Sequence, residues 1–87
     1  MPSYKLSMIK NVHHPAYKAL IDMLVSERNK QGLTVRQFAE LIDEDASFVT
    51  KIEMRIRKLS AIEYFQYCKA LKLDPIKGIE TFWTVQD

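Results

Sequence analysis

The chain has 87 residues, a formal net charge of +2, 47% hydrophobic and 28% charged residues, and a single cysteine. That length suits one small domain with a modest core, and a lone cysteine excludes an internal disulfide framework and fits a reducing, cytoplasmic setting. No apolar run approaches the ~20 residues of a membrane span, and MPSYKLSMIKNVHH lacks the continuous apolar core and cleavage site of a signal peptide.

In PAYKALIDMLVSERNKQG, apolar residues recur at Tyr17, Leu20, Ile21, Leu24 and Val25, the spacing of one helical face. Pro15 suits the first helical position and Gly32 the left-handed residue beyond a helix end, so the first helix is expected over 15–30. Thr34 and Gln37 have the spacing of a capping box, with Leu33 and Phe38 at staple positions, which predicts a short helix over 35–42. Asp43 and Glu44 then make a tight connection. Asp45 is expected to cap a third helix whose inner face carries Val49 and Ile52. Ser60 and Glu63 repeat the capping box, Leu59 and Tyr64 the staple, and a fourth helix over 61–72 turns Ala61, Tyr64, Phe65, Cys68 and Leu71 inward. Asp74-Pro75 opens a fifth helix over 75–83, although Gly78 and the β-formers of TFWTV count against it. Residues 1–13 do not follow the helical period: SYKLSMI alternates Tyr4, Leu6 and Met8 like a short strand, and Thr81 to Val85 is a second candidate strand. The chain therefore reads as an all-α bundle of about five short helices. Its expected division is an N-terminal extension over 1–14, a folded domain over 15–83 and a tail over 84–87.

A charge of +2 is too small to argue for a polyanionic partner, but its distribution is uneven. Lys51, Arg55, Arg57 and Lys58 follow closely on Asp43, Glu44 and Asp45. Two short helices joined by a tight turn, the second running into a basic loop, describe a helix-turn-helix. A recognition helix must anchor one face and offer the other to the major groove. Val49 and Ile52 anchor, and Ala46, Ser47, Phe48, Thr50 and Lys51 form the outer set. Lys51 can donate to guanine, Ser47 can bond either base type, and Ala46 or Phe48 can touch a thymine methyl.

The segments GLTVRQFAELIDEDASFVTKIE and SAIEYFQYCKALKLDP resemble the Cro/repressor type of helix-turn-helix domain, the XRE-like regulators, over residues 17–76. The resemblance implies a lambda-repressor-like fold that binds double-stranded DNA. It implies base readers at Ala46, Ser47 and Lys51, and a loop carrying Arg55, Arg57 and Lys58 against phosphates. Phosphate contacts give affinity and register rather than sequence choice. It also implies a structural ion pair between Arg28 and Glu53. The chain departs from the family in three places. Asp43 and Arg55 stand where glycine is usual, and Val35 stands where a glutamine meets phosphate; Thr34 and Arg36 are the remaining phosphate candidates on the second helix.

Each feature has a plainer reading. The third helix can be a bundle helix, and the basic loop a solvated surface. His13-His14 lacks further ligands and reads as a tail rather than a metal site. Cys68 reads as core, and Tyr64, Phe65 and Tyr67 as core and its margin. No nucleophile, base and orienter occur together and no glycine-rich phosphate loop exists, so no catalysis, metal or cofactor is expected. The sequence predicts a small DNA-binding regulator, a repressor, acting as a homodimer because one recognition helix reads too few base pairs. Met8, Ile79, Phe82 and Trp83 are the candidate dimer contacts. The rival is a protein-interaction module, such as an antitoxin that binds a toxin or an adaptor. The acids at 43–45 and Val35 favour that rival.

Overall fold

Among the described residues, five helices form where the cap signals stand. The computed structural model describes residues 11–85. The SYKLSMI strand and the Met8 contact lie outside the described residues. α1 spans Pro15–Lys30, with proline in the first turn, and His14 Nδ1 caps it by accepting from the Ala16 amide at 3.0 Å. His14 is thus a helix cap on a turn closed by its own N–H to the Asn11 carbonyl, which corrects the tail reading of this residue. α2 spans Val35–Leu41 and α4 spans Ala61–Leu71. Both open with complete capping boxes: Thr34 with Gln37 at 3.0 and 2.9 Å, and Ser60 with Glu63 at 3.1 and 2.8 Å. α3 spans Ala46–Glu53. α5 spans Pro75–Val85, and its Ile76 amide donates to Asp74 Oδ1 at 3.0 Å.

The core gathers from α1 to α4: Ile21 and Leu24, Phe38 and Ala39, Val49 and Ile52, then Tyr64, Tyr67, Cys68 and Leu71. Phe38 meets Tyr67 edge-on, with ring centroids 4.7 Å apart. Cys68 is buried there, and burial pushes its thiol above the ordinary range, so it packs as a small apolar residue. Two expected inward residues of α4 face outward instead. Ala61 is exposed and Phe65 is half-exposed, because the buried stripe runs through Tyr64, Tyr67, Cys68 and Leu71, and Ala61 and Phe65 fall beside it.

α5 packs chiefly along α1. Gly78 is buried at that crossing. A side chain there would meet Leu20 Cδ1 at 2.8 Å and collide with the Tyr64 hydroxyl, which donates to the Pro75 carbonyl. The glycine that counts against a helix from propensity is what lets α5 approach α1 and α4. The expected strand over Thr81 to Val85 is helical, and Thr84 and Val85 form its last turn rather than a tail. Packing overrides β-propensity here. The threonine hydroxyls support the outcome by donating back along the helix, Thr81 to the Lys77 carbonyl at 2.8 Å and Thr84 to the Thr81 carbonyl at 3.1 Å.

Candidate nucleic-acid interface

The α2–α3 turn is built from backbone. Asp43 takes the left-handed conformation at φ 57°, which aspartate tolerates better than most residues. Its amide donates to Glu40 and that of Glu44 to Ala39, closing the turn. α3 then leaves with Val49 and Ile52 fully buried. With 100° per residue, Ser47, Thr50, Lys51 and Met54 lie farthest from that anchor. All four are exposed, and Met54 continues the stripe of Ser47 and Lys51, seven residues beyond the first and three beyond the second. Sequence reasoning passed over Met54 because it sits just past the helix end, although the same phase reaches it. Ala46 and Phe48 flank the buried face and are only partly exposed.

Asp45 has the extended backbone of a cap residue, φ −71° and ψ 151°, but its side chain makes no cap hydrogen bond. The expected side-chain cap of α3 by Asp45 is therefore corrected. The acid stays exposed and, with Glu40, Asp43 and Glu44, lines an acidic hollow beside the start of the helix.

Arg28 and Glu53 hold the other end. Arg28 Nε and Nη2 meet the two Glu53 oxygens at 2.6 and 2.9 Å, and Nη1 donates to the Leu33 carbonyl at 2.6 Å. One guanidinium thus joins α1, the approach to α2 and the last turn of α3. Arg55 ends α3 in the left-handed conformation at φ 59°. That reversal lets the Ile56 and Arg57 amides donate to the Lys51 carbonyl at 2.9 and 3.2 Å, folding the basic loop against the helix it follows. The Tyr17 hydroxyl accepts from the Leu59 amide at 2.9 Å and pins the loop's far end to α1. Burial raises the Tyr17 phenol above its ordinary range, so it stays protonated in that bond.

Among the described residues, Arg36, Lys51, Arg55 and Lys58 have no ion-pair partner. Thr34 Oγ1 accepts from the Gln37 amide, which leaves its hydroxyl proton available to an acceptor outside the domain. Arg57 differs. It makes a bidentate pair with Glu63, 2.9 Å on both arms, and lies over the Phe48 ring at 4.6 Å. The Arg57 guanidinium and the Ser60 bonds hold the Glu63 carboxyl at about 2, against a smaller opposing push from burial.

A second surface lies between α1, α5 and the start of α4. Ile79, Phe82 and Trp83 line an apolar groove of about 320 Å³ with Leu20, Leu59 and Tyr64. Ile76, Ile79 and Trp83 form an exposed stripe along α5, and Trp83 is 73% exposed.

A family model described as Helix-turn-helix matches residues 24–77. The structure is similar to an XRE-family like protein from Pseudomonas syringae pv. tomato str. DC3000, with a TM-score of 0.77 and 29% identity over 87% of this chain and 95% of that one. It also shares the fold of the clp gene regulator ClgR from C. glutamicum, with a TM-score of 0.71 and 21% identity over 83% of this chain and 94% of that one. No curated protein sequence matches. The matched segment runs from the middle of α1 through the turn, α3, the basic loop and α4, and the chain belongs to the XRE-like helix-turn-helix family.

Proposed function

We propose that this chain is a sequence-specific double-stranded DNA-binding regulator, a repressor that acts as a homodimer. The observation that carries the reading is α3 itself. It is anchored by Val49, Ile52 and the Arg28–Glu53 pair, and it turns Ser47, Thr50 and Lys51 to solvent. Those three are the proposed base readers, with Ala46 at the helix start and Phe48 at its flank as lesser contacts. Thr34, Arg36, Arg55 and Lys58 are the proposed phosphate contacts. A second copy is proposed to cover Ile79, Phe82 and Trp83, since a helix apolar on two sides normally has both sides covered. The dimer would set two recognition helices about one DNA turn apart.

The test is selection of duplexes from a random pool, followed by a salt titration on the winning sequence. The reading expects affinity to fall steeply with salt, and expects Lys51→Ala to relax the sequence preference. Absence of duplex binding at low salt defeats it. The acidic hollow of Glu40, Asp43, Glu44 and Asp45 supports a second reading, in which the same end of α3 meets a basic protein partner such as a toxin. Binding to such a partner with no duplex affinity at low salt would select that reading.

A further inference from the structure

The loop after α3 carries Arg55, Arg57 and Lys58, and the three are not equivalent. Arg55 and Lys58 have no carboxylate partner among the described residues. Arg57 has committed most of its donors. Nη1 serves Glu63 Oε1 at 2.9 Å and the Lys58 carbonyl at 3.2 Å, and Nη2 serves Glu63 Oε2 at 2.9 Å. Its guanidinium carbon lies over the Phe48 ring, 4.6 Å from the centroid. Glu63 in turn is bound to the Ser60 amide as part of the α4 cap. A single side chain therefore ties the flank of the recognition helix, the loop and the start of α4.

A phosphate arriving at Arg57 finds the Nη1–Nη2 fork already taken, and a bidentate contact there would have to displace a carboxylate that stays ionised at neutral pH. At Arg55 and Lys58 no carboxylate among the described residues stands in a phosphate's way. The ring of Phe48 is only partly exposed, and it packs against the margin of the core. Its position is thus set from both sides, by the core beneath and the guanidinium above. Ser47, Thr50 and Lys51 share a rigid helix with Phe48, so a shift of the ring that rolled α3 about Val49 and Ile52 would carry all three with it.

Resting on the DNA-binding reading, we infer that Arg57 is a positioning residue: it fixes the angle of α3 through Phe48 and Glu63, and it contacts no phosphate. This departs from the role that family resemblance implies for the loop as a whole. The consequence is a separation of effects. Arg55 and Lys58 supply attraction to any duplex, whereas Arg57 supplies preference for the right one.

The experiment measures binding of the full chain to a fluorescein-labelled duplex chosen by random-pool selection, and to its scrambled counterpart, across a range of salt. Arg57→Ala is expected to weaken the selected duplex about tenfold and the scrambled one less than about twofold, with an unchanged salt slope. Arg57→Lys keeps the charge but loses the fork, and is expected to match Arg57→Ala. Phe48→Leu is expected to cost the selected duplex a similar factor, and the Arg57→Ala/Phe48→Leu pair no more than the worse single change. Lys58→Ala is the contrast: both duplexes weaken alike and the slope drops by about 0.9. Circular dichroism at low temperature establishes that each variant is folded, and the milder Arg57→Lys and Phe48→Leu serve if Arg57→Ala is not. The inference is overturned if Arg57→Ala behaves like Lys58→Ala, if Arg57→Lys restores binding, or if folded Arg57 variants bind like the parent. A parent chain that binds neither duplex defeats the DNA reading and this inference with it. A parent that binds while its Arg57 variants depart from expectation defeats this inference alone.

Discussion

Arg28→Ala tests how α3 is held. The wild-type guanidinium makes three hydrogen bonds, two to Glu53 and one to the Leu33 carbonyl, at 2.6 to 2.9 Å. The two side chains are 11% and 16% exposed. Removing one partner of a buried ion pair costs about 3–5 kcal/mol, because the other charge is left without compensation. Slight solvent access to both groups places this pair near the low end, at about 3 kcal/mol, a figure that includes the orphaned Leu33 carbonyl. A chain of this length has a total stability of roughly 4–13 kcal/mol, so the variant forfeits a large share of it. Urea unfolding followed by circular dichroism measures the loss as a lower midpoint at unchanged slope. The companion Arg28→Met/Glu53→Met removes both charges and is expected to be more stable than Arg28→Ala, since nothing charged stays buried alone. A loss below about 1 kcal/mol for Arg28→Ala, or a double variant worse than the single, refutes the reasoning.

Arg55→Gly is expected to raise stability by about 1 kcal/mol in urea unfolding, since Arg55 sits at φ 59° where a Cβ is strained, and to reduce the salt slope of duplex binding by about 0.9. Gly78→Ala improves helix propensity, yet it is expected to lower the melting temperature, because the new methyl meets Leu20 Cδ1 at 2.8 Å and pushes Tyr64 off the Pro75 carbonyl. Glu63 has its carboxyl lowered from 4.5 to about 2, so its contribution to stability is complete above about pH 4.5 and is lost as pH falls towards 2. Melting temperatures measured across that window should fall less in Glu63→Gln than in the wild type; an equal fall assigns the acid loss to other groups.

Much of the fold is legible because its signals are local. Thr34 with Gln37 and Ser60 with Glu63, each pair three residues apart, announce helix starts, and both boxes close. The Arg28–Glu53 pair spans 25 residues, and only the resemblance pointed to it. What stayed hidden depends on neighbours that periodicity cannot see. Gly78 and the threonines of α5 argue against a helix until α1 and Tyr64 are placed beside them. In the sequence, Glu63 reads only as part of a cap. A carboxylate has room for several donors, and the same group also binds Arg57. That second bond decides which loop cation is free.

Asp45 shows the same limit from the other side. Its position and backbone are those of a cap, but its carboxylate makes no cap bond and remains an acid among acids. α3 has 8 residues and is about 12 Å long, more than the ~8 Å over which charges act at physiological salt. An approaching duplex therefore meets two separate fields, repulsive at the start of α3 and attractive at its end. Dilute salt extends both fields until they overlap and partly cancel. The chain's affinity should then gain less from low salt than its count of basic residues suggests, and on the proposed reading the attraction at physiological salt comes from Arg36, Lys51, Arg55 and Lys58 at close range. Placing Arg55 and Lys58 behind the proposed reading face, with Arg57 held by Glu63, makes DNA binding compatible with a turn that carries three acids.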